Sequence, residues 1–267
     1  MRENHDRPVA SIYTNCETAD RILMCSAGFR MRGSMVKAGR TIALLCLGWL
    51  ILLPAGVRAQ STSLQQVLAQ LDAASTKFLS AQADFAWDQY TAVVQESDVQ
   101  TGTISFERKK SVSMIAELKR DNGKPAPKTV LYNGGEVRLY EPTIKQLTIM
   151  KAGANKGQWE SFLTLGFGGS GTDLLTNWNV SLQSTEKIDG VSVAKLDLVP
   201  KEQKVLDMFA HVTIWIDPTR SLSYKQVFYQ PSGDKRTATY TNIRYNVPLP
   251  ASVFQIKPLP GSTTVEK

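Results

Sequence analysis

The stretch Leu79-Ser-Ala-Gln-Ala-Asp-Phe-Ala-Trp87 decides the fold class. Leu79, Ala81, Ala83, Phe85 and Trp87 alternate with Ser80, Gln82, Asp84 and, one step on, Asp88. A period of two sends successive side chains to opposite faces, so this is a half-buried β-strand. Just upstream the period is different. Ser63 and Gln66 have capping-box spacing, and Leu64, Val67, Leu68, Leu71 and Phe78 fall along one face at helical spacing. An amphipathic helix therefore leads into the strand and must lie against something.

Downstream the alternation recurs. Gly102 to Arg108 places Ile104 and Phe106 on one side, and Ser111 to Lys119 carries Val112, Met114, Ala116 and Leu118. Val130 to Tyr132, Val137 to Tyr140, Gln146 to Met150, Asn179 to Gln183, Val191 to Leu198, His211 to Ile216, Leu222 to Tyr229 and Thr237 to Tyr245 read as further strands. Asp121-Asn122-Gly123, Asn133-Gly134-Gly135, Asp189-Gly190 and Ser232-Gly233-Asp234 punctuate them as short turns. Linkers this short join antiparallel neighbours, since a parallel crossover needs a dozen residues or more. The expectation is a mainly β, α+β chain built on about ten or eleven antiparallel strands. A sheet that large must curl or close, and one apolar helix face covers part of it.

Trp159 to Trp178 interrupts the strands. Phe162, Leu163, Leu165, Leu174 and Leu175 surround Gly166-Phe167-Gly168-Gly169-Ser170-Gly171, formally a GxGxxG with Asp189 eighteen residues on. A dinucleotide fingerprint needs a parallel βαβ unit, whereas the neighbouring connections here read as antiparallel. A phosphate loop fails as well, because no Lys follows the last glycine. Two readings stay open: a partly apolar loop between two short helices, and a movable lid over a cavity.

Ahead of the helix, Lys37 and Arg40 precede an uncharged run from Thr41 to Leu53. Thirteen residues are short of the roughly 20 that span a bilayer. Pro54 and Gly56 break the run, and Val57-Arg58-Ala59 sets small residues at the positions a signal peptidase reads, so cleavage is expected after Ala59. Met31 and Met35 stand where a start gives an ordinary leader, and residues 1 to about 30 are read as an over-called start. Residues 1–59 thus read as the leader and residues 60–267 as a single exported domain. Of the 267 residues' 31 basic and 24 acidic side chains, eight and four lie in the leader, leaving 23 against 20. So small and interspersed an excess argues against nucleic acid as a partner.

Cys16, Cys25, Cys46 and His5 all fall in the leader, and His211 is the one histidine beyond it. A Cys/His zinc site, a Cys nucleophile and a disulfide framework are therefore excluded from the mature part. No cofactor or metal is expected. Asp84 and Asp88 share a strand face, but four residues along a strand is about 13 Å, too far for a glycosidase pair. His211 reads as a surface histidine.

Three blocks carry a resemblance. Gly102-Thr-Ile-Ser-Phe-Glu-Arg108, the Tyr132-Asn-Gly-Gly135 to Tyr140-Glu-Pro142 block and Phe254-Gln-Ile-Lys-Pro-Leu-Pro-Gly261 follow a signal peptide and an amphipathic first helix in an order that resembles the periplasmic outer-membrane lipoprotein carrier family, LolA. The resemblance spans roughly residues 63 to 265. It implies an unclosed antiparallel β-barrel with helices lidding an apolar concave face, and a monomer that is not an enzyme. It implies acylated lipoproteins or lipids as cargo, taken from an inner-membrane ABC-type exporter and yielded to an outer-membrane acceptor. In the family an Arg after the Gly-x-Ile strand bonds backbone carbonyls of the lid. Arg108 holds that position, although the Pro that follows it in the family is Lys109 here. The residues expected to contact acyl chains are Phe85, Trp87, Ile104, Phe106, Met114 and Leu118 on the strand face, with Phe162, Leu163, Phe167, Leu174, Leu175 and Trp178 on the lid. For each of these, core packing is the competing role. Two other functions stay open: a periplasmic lipoprotein-sensing regulator on the same half-barrel, and an envelope lipid hydrolase using Ser170, which lacks an elbow context and an obvious base.

Overall fold

The computed structural model describes residues 62–109, 111–151, 153 and 165–266. The leader and its cleavage site, together with Phe162 and Leu163, lie outside the described residues.

Helix α1 (Leu64–Ser75) starts as its spacing predicts: Gln66 N–H donates to Ser63 Oγ, and Ser63 N–H donates to Gln66 Oε1. The apolar stripe Val67, Leu68, Leu71 and Ala74 is buried. The helix ends before Phe78, which is buried separately at the start of the sheet. Leu79 departs from the alternation: it is 61% exposed, because the strand begins only at Ser80.

Six strands then run as a meander: β1 (Ser80–Thr91), β2 (Glu96–Arg108), β3 (Val112–Asp121), β4 (Lys124–Asn133), β5 (Glu136–Glu141) and β6 (Gln146–Lys151). A second meander comprises β7 (Trp178–Ile188), β8 (Val191–Pro200), β9 (His211–Asp217), β10 (Leu222–Tyr229) and β11 (Lys235–Tyr245), with the short helix α3 (Gln203–Leu206) between β8 and β9. Asn122 and Gly123 have φ of 46° and 76°, and Asp189 and Gly190 have 50° and 79°. Positive φ at both turn residues matches the twist of flanking hairpin strands, which is why these dipeptides read as turns. Pairing of β1 with β11 joins the meanders into one sheet of order β12-β6-β5-β4-β3-β2-β1-β11-β10-β9-β8-β7. The end strands do not pair, so the barrel is incomplete. The twelfth strand, β12 (Thr263–Glu266), lies outside the ten or eleven expected. All four of its residues are exposed and it runs parallel to β6, so no burial pattern marks it.

This order explains the interruption. Strand β6 lies next to one end of the sheet and β7 at the other, so the chain between Lys151 and Trp178 must cross from one to the other. The crossing ends in helix α2 (Gly171–Asn177), which packs on α1. Thr172 N–H donates to Asp72 Oδ1 at 2.9 Å, and a Cβ on Gly171 would stand 2.4 Å from the Leu68 carbonyl oxygen. Two of the three apolar clusters among the described residues lie on this side. One gathers α1, α2 and Trp178 over β8 and β9, and the other gathers β1–β5 and β11 beneath Phe167.

Asn246 ties the helix to the sheet. Its Oδ1 accepts from Leu79 N–H at 2.8 Å and Ser80 N–H at 3.3 Å, and its Nδ2 donates to Lys77 O at 2.8 Å. Its φ is 52°, where other side chains cost about 1–2 kcal/mol. With hydrogen bonds netting about 0.5–1.5 kcal/mol each, Asn246→Ala is expected to destabilise by about 3 kcal/mol, or ~6–12 °C in Tm. Asn246→Gly keeps the backbone free and isolates the hydrogen-bond part. A thermal melt of Asn246→Ala that matches the parent would sink this assignment.

Candidate functional site

The segment that closes the crossing forms the roof of the site. Ser223 N–H donates to Gly166 O at 2.6 Å, Gly168 N–H to Ser221 O at 2.9 Å, and Ser221 Oγ to Gly169 O at 2.7 Å. Residues 166–169 are thereby laid against the start of β10 through a single antiparallel bridge between Phe167 and Leu222. Phe167 is turned down onto the sheet, stacked on Phe106 with centroids 4.2 Å apart and edge-on to Tyr240 at 4.9 Å.

Beside Phe167 lies a cavity of about 210 Å³. Of the residues expected to contact acyl chains, Trp87, Ile104, Phe106, Met114 and Phe167 line it. Phe85 and Leu118 are buried in the same cluster but fill core; Phe85 stacks on Trp87 at 4.2 Å. Leu174 and Trp178 belong to the other cluster, against α1, and do not reach the cavity. Leu175 is 45% exposed and stands outside the cavity lining, since α2 buries Gly171 and Leu174 instead. Ser170 accepts from Asp173 N–H as the N-cap of α2, a structural use of that hydroxyl.

Leu165, which the sequence places in the apolar interruption, also lines the cavity, as do Gln226, Phe228, Arg236, Ala238 and Tyr240, which the pattern alone does not mark as contacts. Arg236, Ala238 and Tyr240 share one parity along β11, so Ala238 and Tyr240 were within reach of the alternation. Gln226 shares the parity of Leu222 and Phe228, but a polar side chain carries no apolar signal in the alternation. Buried Gln226 is satisfied: Nε2 donates to Leu165 O at 2.5 Å and Oε1 accepts from the Tyr240 hydroxyl at 3.2 Å. Burial pushes the Tyr240 phenol well above its ordinary pKa, keeping it a neutral donor.

Arg108 lies at the other end of the covered face. Its Nη1 donates to Ser75 O at 3.4 Å, and the guanidinium stands 5.8 Å from the Phe78 ring centroid. Ser75 ends α1, where carbonyls lack helical partners and the dipole favours a cation. Burial lowers the Arg108 pKa, opposed by the charge of Asp173 in α2. The side chain therefore connects β2 to the helical layer.

His211 is partly covered: Nδ1 lies 2.6 Å from Asp197 Oδ1, and the ring stacks on Tyr229 at 4.2 Å. Among the described residues no three His, Cys, Asp or Glu side chains are grouped to hold a metal, and no helix is long and apolar enough to cross a membrane.

No protein-family model matches the chain, and none of the curated proteins does. Solved structures do. An uncharacterized conserved protein from Thermus thermophilus is 12% identical, over 76% of this chain and 98% of that one, with a TM-score of 0.49. A LolA superfamily protein from Nitrosomonas europaea is 15% identical, over 73% of this chain and 99% of that one, with a TM-score of 0.37. MucB is 13% identical over 72% of this chain, with a TM-score of 0.47, and the match spans 62% of MucB's own length.

Proposed function

We propose that the protein is a periplasmic carrier, which takes the acyl chains of lipoproteins or lipids into the cavity under Phe167 and moves them from the inner to the outer membrane. Its exchange partners would be an inner-membrane ABC-type exporter and an outer-membrane acceptor, and it would work as a monomer made of residues 60–267 after removal of the leader. The observation that carries this reading is the apolar cavity of about 210 Å³ covered by Leu165 and Phe167.

That volume is below the roughly 300–1,000 Å³ of ordinary ligand pockets, so cargo enters only as the roof lifts. Lifting residues 165–169 breaks four hydrogen bonds and two aromatic contacts. At about 0.5–1.5 kcal/mol each, the cost is roughly 3–9 kcal/mol. Each buried methylene returns about 0.8 kcal/mol, so roughly 4–11 methylenes offset it. One long acyl chain is enough, and the balance stays small enough for release.

Arg108→Leu is expected to fold normally but to lose its bond to the end of α1. With a charged hydrogen bond worth at least about 1.4 kcal/mol, the closed empty state weakens about tenfold and cargo hand-over slows to match. An unchanged transfer rate to outer-membrane vesicles would remove the latch role and leave the carrier reading intact. The carrier reading itself is tested by native mass spectrometry of the protein taken from the periplasm, with a release assay on inner-membrane vesicles. Bound acyl mass and soluble lipoprotein complexes are expected. A lipid-free protein that releases nothing but captures a membrane-anchored regulator would replace the carrier with a sensor.

A further inference from the structure

The cavity lining contains three polar side chains, Gln226, Tyr240 and Arg236. The first two are satisfied through each other and through Leu165 O. Arg236 is different. It is exposed at the rim, its Nε donates to Gln89 Oε1 at 3.0 Å, and its guanidinium stands 5.9 Å from the Trp87 ring centroid. Among the described residues no carboxylate pairs with it, and the fork formed by Nη1 and Nη2 meets no acceptor. Partial desolvation pushes its pKa below the ordinary arginine value, opposed by the nearby Tyr240.

We propose that the cavity takes a single-chain amphiphile with an anionic head, the carboxylate of a fatty acid or the phosphate of a lysophospholipid, with the head on Arg236 and the chain against Ile104, Phe106 and Met114. This rests on the carrier reading of the same cavity and narrows its cargo. A guanidinium presents two parallel donors that fit a carboxylate or phosphate, and the aromatic face behind it holds its plane without neutralising its charge. The free fork, set at the edge of an otherwise apolar and internally satisfied cavity, matches an amphiphile's polarity end to end. Because roughly 4–11 buried methylenes offset the lifting of the roof, a single chain is sufficient. The acylated end of a lipoprotein offers this fork no anionic head, so Arg236 adds nothing to its binding.

The test is calorimetric titration of the purified protein and of Arg236→Gln with laurate, lauroyl-lysophosphatidylglycerol and 1-dodecanol, which share a twelve-carbon chain. The parent is expected to bind one or both anions about tenfold more tightly than dodecanol. Which anion shows the gain identifies carboxylate or phosphate as the head. Arg236→Gln is expected to bind dodecanol unchanged and to lose the anion advantage, and Arg236→Lys to keep part of it. Equal binding of all three by the parent, or an anion advantage that survives in Arg236→Gln, overturns the head-group assignment alone. Failure of every ligand, dodecanol included, overturns the carrier reading beneath it.

Discussion

Gly102→Ala is expected to cost about 3–5 kcal/mol and to lower Tm by ~10 °C or more, from the addition of one methyl group. A Cβ at Gly102 would stand 2.0 Å from the carbonyl oxygen of Glu117 and 2.9 Å from Cζ of Phe85. Neither neighbour can step aside. The Glu117 carbonyl belongs to β3, held between β2 and β4, and the Phe85 ring is buried and stacked on Trp87. Gly102 also sits where the β2–β3 register shifts, a bulge whose backbone approach is closer than a side chain permits. The loss is a large part of a typical total stability of about 5–15 kcal/mol. Gly123→Asn is the control: nothing lies within 4 Å of a Cβ there, so only the backbone cost of φ +76°, about 1 kcal/mol or less for an Asn, is expected. Thermal melts followed by circular dichroism decide it. A Gly102→Ala protein that melts with the parent would mean that β2 and β3 can spread at the bulge.

What the sequence made legible is what local physics controls. The Ser63–Gln66 box, the Asn122-Gly123 and Asp189-Gly190 turns and the alternation of Ala81, Ala83 and Phe85 each depend on residues a few positions apart. The pairing of β1 with β11, which joins residues some 160 positions apart, leaves no local trace, although it decides that β6 and β7 are not neighbours in the sheet. The cavity was half legible. Parity along β1 and β2 gave Trp87, Ile104 and Phe106, whereas Gln226, in phase with Phe228, was hidden by its polarity. Arg236 shares the parity of Ala238 and Tyr240 but reads as an ordinary surface charge until the cavity is seen beside it. Helix α2 shows the limit of composition: Leu174 and Leu175 are identical in type, and only the position of α1 decides that one is buried and the other exposed.

The formal GxGxxG has a packing explanation at each glycine. A Cβ at Gly166 would meet Ser223 at 2.4 Å, one at Gly168 would meet the Phe78 ring at 2.4 Å, and one at Gly171 would meet Leu68 O at 2.4 Å. Three different elements press on one segment, and a nucleotide phosphate is needed for none of these contacts. The same crowding makes the roof a threshold device. It is tightly seated when down, and one residue controls how well it seats.

Gly168→Ala is expected to unseat the roof. The φ of +74° costs an alanine about 1–2 kcal/mol, and the contacts of 2.4, 2.6 and 2.9 Å with the Phe78 ring add about 1–3 kcal/mol of overpacking. Phe78 is 3% exposed, has Arg108 over it, and cannot turn away without disturbing the junction of α1 and β1. The cheaper response is for residues 166–169 to lift from β10, which takes Phe167 off Phe106 and Tyr240. Stability is expected to fall by about 3 kcal/mol, while affinity for neutral dodecanol rises about tenfold for each 1.4 kcal/mol of opening cost already met by the substitution. Opposite signs in Tm and affinity mark a roof, since a mere packing defect lowers Tm and leaves binding unchanged or weaker. Adding Phe78→Ala to Gly168→Ala removes the ring contact and leaves only the backbone strain, so dodecanol affinity is expected to return toward that of Phe78→Ala alone. If Gly168→Ala melts early and binds dodecanol no better than the parent, residues 166–169 are fixed structure and the entrance to the cavity lies elsewhere.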